Sequence, residues 1–293
     1  MTERDIHFDC SGVARDIANS TVGLCKLCNV PDGADAISAG SGALVSLGSI
    51  DGILTAAHVL KKLPDKGKIG LIRFSNQPTV VQRQMIDTAL AEKVIISTDT
   101  FGPTGPDLGF LRLPPSNVGN LRATNTFLNM VNRRRAVRRS KQPPPPYFDA
   151  VCGVVDEWTN NLLPRLPSTR LKGFQLLFGG GKVIAKYEVK GFDLCTFEVS
   201  FEEGLTPPSS YEGLSGGGLW RVYFEADRNG QNIVREKRLL GIAFYQYTSD
   251  GKQFIICHGP RSVYERLIKK VVEKWPELTI DGDDDALAWA TIR

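Results

Sequence analysis

The sequence predicts an all-β protein of barrel or sandwich type, in two strand-rich halves closed by one helix. Three observations predict it. Short apolar or alternating segments recur between clusters of Gly, Pro, Asn and Asp. Four consecutive prolines, Pro143 to Pro146, break the pattern near the middle, and a polyproline run cannot pair inside a sheet. A helical period, Val263, Leu267, Val271 and Trp275, lies near the end and stops at Pro276.

In the first half, Thr21 to Val30 reads as a strand. Ile37 to Leu47 alternates small and apolar residues, Gly48 to Gly52 is a turn, and Ile53 to Ala56 is a short strand leading into His58. Lys68 to Phe74, Thr79 to Met85, Lys93 to Ile96 and Leu108 to Leu113 are further strands. Pro114 to Asn132 is mixed, with room for a short helix. Strands resume at Tyr147 to Val155, Phe174 to Phe178, Lys182 to Val189, Phe192 to Phe201, Gly218 to Glu225, Leu239 to Tyr247 and Phe254 to Cys257. Gly179-Gly180-Gly181-Lys182 reads as a hairpin turn, because it lacks the upstream glycine and the following Ser/Thr of a phosphate loop. Ser262 and Glu265 fit a capping box at the start of the terminal helix. The resulting plan is an N-terminal extension (1–19), a first unit (20–125), a basic and proline-rich linker (126–147), a second unit (148–260), a helix (261–276) and an acidic tail (277–293).

With 42% hydrophobic and 23% charged residues, the composition is that of a soluble globular protein. No apolar run approaches the roughly 18–20 residues of a membrane span, and residues 1–7 lack a signal-peptide core. The expectation is a cytoplasmic protein without membrane contact, its six cysteines reduced. His7-x-x-Cys10 and Cys25-x-x-Cys28 have zinc-like spacing. Residues three apart on a strand point to opposite faces, however, so no metal is expected there. The net charge of +4 is local: Arg133, Arg134, Arg135, Arg138, Arg139 and Lys141 carry six positive charges, and without them the chain has 30 basic against 32 acidic residues. No aromatics interleave that run, so it reads as a solvated linker face rather than a phosphate contact, and nucleic acid is not an expected partner. The acidic tail, with Asp281, Asp283, Asp284 and Asp285, could pair with the basic run, bind a partner or stay disordered.

Three segments carry chemistry. Leu54-Thr55-Ala56-Ala57-His58 places an imidazole just after a strand, free to point into a cleft. Gly213-Leu214-Ser215-Gly216-Gly217 offers a hydroxyl among glycines, whose tight turns can aim N–H groups at one point. Asp107, at the mouth of the alternating run Leu108 to Leu113, offers a carboxylate to orient the histidine. A base and a hydroxyl nucleophile are what acyl transfer needs. A strand after the serine, rather than a helix, argues against the nucleophile elbow of another hydrolase class. His7 lies near the N-terminus, and His258 reads as structural or surface.

Together, and in the order His, Asp, Ser, these segments resemble the motifs of the trypsin/chymotrypsin-like serine peptidases, in their bacterial and intracellular members. Gly40 to Val45 resembles the family's strand before the histidine, and Leu239 to Ala243 its strand after the serine. The resemblance implies two six-stranded antiparallel β-barrels with a C-terminal helix, and a serine endopeptidase acting on protein or peptide substrates. It implies Ser215 as nucleophile, His58 as general base, Asp107 as its orienting acid, and the N–H groups of Gly213 and Ser215 as oxyanion hole, with no cofactor. Ser209 would fall at the base of the substrate pocket, and Phe244, Tyr245 and Gln246 along its wall, without the carboxylate that favours Arg or Lys. Val59 stands where secreted members carry a cysteine. Leu214 stands where zymogen-type members carry the aspartate that receives a new N-terminus, so activation by N-terminal processing is not expected. The other reading is a silent or partner-activated protein-binding module with a regulatory partner. The presence of all three triad residue types favours activity.

Overall fold

The computed structural model describes residues 11–30, 33–74, 81–98, 102–103, 105–139, 146–166, 169–201, 206–228 and 232–276. Helix α1 (Ser11–Ala18) precedes β1 (Thr21–Val30), β2 (Gly33–Leu47) and β3 (Ile50–Thr55). Helix α2 (Ala57–Lys62) follows directly, then β4 (Lys68–Phe74), β5 (Val81–Asp87), β6 (Glu92–Thr98) and β7 (Asp107–Arg112). Helix α3 (Pro115–Arg122), β8 (Leu128–Asn129) and helix α4 (Met130–Arg139) join the halves. The second half holds β9 (Tyr147–Val154), β10 (Asn160–Leu166), β11 (Thr169–Gly173), β12 (Leu176–Val189), β13 (Phe192–Val199), β14 (Gly218–Ala226), β15 (Asn232–Ser249) and β16 (Lys252–His258). A π-helical turn, Ser262–Arg266, leads into helix α5 (Leu267–Lys274).

The molecule is mostly β, in two sheets. In the second, β12-β13-β16-β15-β14-β9 pair around a closed ring of six strands. The first departs from the expected six-stranded barrel. It has ten strands, with the main path β5-β4-β1-β2-β3-β7-β6 and with β8, β10 and β11 attached beside it. Among the described residues no pairing joins β5 to β6, so this sheet is not closed by hydrogen bonds. The extra strands come from segments without a clear alternating pattern. The two-residue β8 and the β11 end at Thr169 both pair parallel with the long strand β2.

Strand β2 shows how the period of two builds the core. Leu44 points into a cluster with Val22, Leu24, Ile53, Leu60 and Leu111 inside the first sheet. Ala43, Val45 and Leu47 point the other way, into a cluster shared with Val13 and Ile17 of α1 and with Val263, Leu267, Val271 and Trp275. The helical stripe read from the sequence is therefore buried as a unit, in a cluster that also takes in Trp220, Val222, Leu239 and Ile242 of the second sheet. Helix α1, in the segment read as an extension, seals the same layer.

Three local readings are corrected. Gly179, Gly180 and Gly181 do not form a hairpin turn; they lie inside β12, which pairs with β9 up to Gly181 and with β13 from Gly181 onward. A Cβ at Gly181 would stand 2.1 Å from the Glu198 carbonyl oxygen, so this glycine serves close approach where the strand changes partners. The capping box does not form. The turn begins one residue earlier, with Arg261 as an N-cap that supplies no side-chain cap, and the Ser262 hydroxyl and N–H both donate to Asp193 Oδ1, each at 2.6 Å. The basic run is helical up to Arg139, and it is not wholly solvated. Arg134 is buried, and Arg133 donates to the Lys237 carbonyl at 2.5 Å.

The strand expected at 21–30 is present, with Cys25 buried against Ile72, Val154 and Phe174. Cys28, Cys152, Cys195 and Cys257 are free thiols. His7, Cys10, Lys141, Pro143 to Pro145 and the acidic tail lie outside the described residues. Among the described residues no helix is long and apolar enough to cross a membrane.

Candidate active site

His58 stands in the first turn of α2, which starts directly after β3. The first turn of a helix leaves N–H groups without intrahelical partners, and the N-cap residue here, Ala56, supplies no side-chain cap. Asp107 takes that role from a distance: its Oδ1 accepts the His58 N–H at 2.8 Å. Its Oδ2 is hydrogen-bonded to His58 Nδ1. The pairing of β3 with β7 brings this about, since the register ending at Thr55 and Gly109 leaves Asp107 beside the start of α2. Asp107 is 4% exposed, whereas the His58 side chain keeps 14% of its surface open. The carboxylate thus holds the imidazole at two atoms and leaves Nε2 facing away.

Ser215 lies in the tight loop before β14. Gly213 (φ +92°) and Gly216 (φ +89°) adopt the left-handed backbone that other residues avoid. Leu214 N–H donates to the Tyr211 carbonyl at 3.0 Å, Gly216 N–H to that of Ala243 at 2.7 Å, and Gly217 N–H to that of Leu214 at 2.7 Å. Among the described residues no acceptor meets the N–H of Gly213 or of Ser215. The loop is tied to the first sheet by Ser41, whose N–H donates to the Ser215 carbonyl at 2.7 Å and whose hydroxyl donates to that of Gly213 at 2.8 Å. The same hydroxyl accepts the Val154 N–H at 2.8 Å. Ser41 went unassigned in the sequence, because nothing local marks a serine between two glycines as a bridge between sheets.

His58, Gly213 and Ser215 open onto one cavity of about 300 Å³, which Phe244, Tyr245, Gln246 and Tyr211 also line. Ser209 does not line it; its exposed hydroxyl donates to Glu157 at 2.7 Å, which lowers the Glu157 carboxyl below its usual range. Gln246 is held across the cavity, accepting the Tyr211 N–H at 2.6 Å and donating to Ser210 at 3.2 Å. The Tyr211 hydroxyl is bonded to Gln253 at 2.7 Å, and burial pushes its phenol well above the ordinary range. Leu214 is buried in the core of the second sheet, and Val59 in that of the first.

His258, read from the sequence as structural or surface, is fully buried behind the site. Its Nε2 accepts the Asp107 N–H at 3.0 Å. Burial pushes its imidazole down to about 4, against the opposing pull of the Asp107 and Asp193 charges. In the unfolded chain a histidine titrates near 6.5, so between pH 6.5 and 4 the unfolded state binds the extra proton. This contribution to stability is complete above pH 6.5 and is lost as pH falls toward 4, by roughly 3 kcal/mol in all. Urea melts of wild type and His258→Gln at pH 7 and pH 4 should show the smaller loss on acidification in the variant.

No family model and no curated protein matches the sequence. Solved structures similar to the chain include HtrA-type protease AlgW with decapeptide, at 13% identity and a TM-score of 0.44, covering 90% of this chain and 67% of that one. A second structure of that protease with decapeptide has 13% identity and a TM-score of 0.46, covering 91% and 67%.

Proposed function

We propose that this chain is a serine endopeptidase of chymotrypsin-like double-barrel type, with Ser215, His58 and Asp107 as its triad. The observation that carries the reading is the two-point grip of Asp107 on His58, beside a cavity shared with Ser215. In this mechanism the Ser215 hydroxyl adds to the scissile carbonyl while His58 Nε2 takes its proton. The tetrahedral oxyanion is received by the N–H groups of Gly213 and Ser215, which meet no acceptor among the described residues. The intermediate collapses as His58 returns the proton to the leaving amine. Water then repeats the sequence on the acyl-enzyme. Asp107 holds the Nδ1–H tautomer and stabilises the imidazolium.

The pinned Gln246 narrows the cavity wall, and Tyr211, Phe244 and Ala243 give it an apolar lining. Lys62 and Glu212 line it too, with opposite charges, so the reading goes only against a strong preference for Arg or Lys at the cleavage site. A protein or peptide is the substrate, and the triad requires no cofactor.

Labelling with a fluorophosphonate probe tests the proposal. Wild type is expected to label and Ser215→Ala not to; equal labelling of the two, or none in either, removes the nucleophile.

A further inference from the structure

His258 is a buried titratable group that the mechanism above leaves unused. It ends β16 in the second sheet, with its ring 4.9 Å from that of Phe244 and 5.8 Å from that of Phe192. Its one hydrogen bond among the described residues crosses to the first sheet and to the main chain of Asp107. Because Nε2 accepts that bond, the ring proton sits on Nδ1, and among the described residues Nδ1 meets no partner. A buried donor left unpaired is costly, so stability alone would favour an apolar side chain between these two rings. The bond to Asp107 is what an apolar residue could not supply.

Asp107 needs such a hold. On one side β6 pairs with β7 as far as Thr98 opposite Asp107; on the other the β3–β7 register stops two residues short, at Gly109, and it is His258 that takes the Asp107 N–H. The Asp107 carboxylate must meet two donors of His58 at once, and a small rotation of the Asp107 main chain would release one of them.

We propose that His258 is a positioning residue for Asp107, a neutral acceptor that fixes its main chain so that one carboxylate reaches both His58 Nδ1 and the His58 N–H. This rests on the triad reading above. Burial keeps the ring neutral at pH 7, which preserves the Nε2 lone pair. The bond also makes the second sheet, which carries Ser215, a direct support for the acid of the first.

The test compares full-length wild type, His258→Phe and His258→Gln. Phenylalanine keeps a ring between Phe192 and Phe244 without an acceptor; glutamine places an amide oxygen near the Nε2 position. If His258→Phe does not fold, His258→Met replaces it. The readouts are kcat and KM on a peptide substrate, the rate of fluorophosphonate labelling, and the downfield NMR resonance of the proton between His58 Nδ1 and Asp107. In the folded apolar variant kcat and labelling rate should fall about 10- to 100-fold with little change in KM, and the resonance should broaden or vanish. Glutamine should restore most of the rate and the resonance. An apolar variant with wild-type kcat and resonance, or a glutamine variant as impaired as the apolar one, overturns the proposal. Failure of the triad reading shows separately, as a wild type inert to the probe. The resonance then decides alone: its loss in the apolar variant supports the positioning role, and its persistence overturns it.

Discussion

Asp107→Asn is expected to lower the fluorophosphonate labelling rate by about 10⁴-fold while leaving the fold intact. The size of the effect comes from the tautomer. A carboxylate can only accept, so it holds His58 with the proton on Nδ1 and leaves Nε2 as a base. An asparagine can keep the His58 N–H on its oxygen, as Oδ1 does at 2.8 Å. Its NH₂ group then faces Nδ1, which must become the acceptor, and the ring proton moves to Nε2. Nε2 can no longer take a proton from Ser215. The measurement is labelling rate beside a thermal melt. A variant that melts like wild type and labels within about tenfold of it would show that Asp107 does not set the tautomer.

Gly216→Ala is expected to cost about 2–5 kcal/mol and to abolish labelling. At φ +89° an alanine is strained. Its Cβ would also stand 2.0 Å from the Ser41 carbonyl oxygen and 2.1 Å from Thr55 Oγ1. Neither neighbour can give way, because Ser41 and Thr55 are fully buried and bonded to each other at 2.6 Å. Any relief must come from the loop, which moves Ser215 away from His58. The melting temperature should drop by about 5–15 °C. Gly119→Ala is the control of opposite sign. It lies within α3 with open space around its Cβ position, so alanine should stabilise by about 0.5–1 kcal/mol. Equal melting temperatures for Gly216→Ala and wild type would mean that the loop is not packed as described.

Much of the fold was legible because its signals are local. Alternation in β2, the strand ending at Thr55 and the stripe of α5 each follow from side chains a few residues apart. The glycine-rich stretch of β12 was misread for the same reason. A turn and a strand that changes partners ask for the same small residue, and only the carbonyl of Glu198 tells them apart. The capping box failed because the turn starts at Arg261 and Ser262 is held by Asp193, from a strand 69 residues away in the sequence.

The sequence by itself determined a mostly β chain, the strand that leads into His58, the strand that Asp107 opens, the strand that follows Ser215, and the glycines that flank the serine. Tertiary structure alone decided which groups meet. It placed Asp107 as the distant cap of α2, made Ser41 the bridge between sheets, left Ser209 out of the cavity and put His258 behind the carboxylate. The physical reason is range. Backbone periodicity and turn chemistry act over a few residues and are written in order along the chain. A hydrogen bond such as that between Asp107 and His258, 151 residues apart, exists only once two sheets have packed.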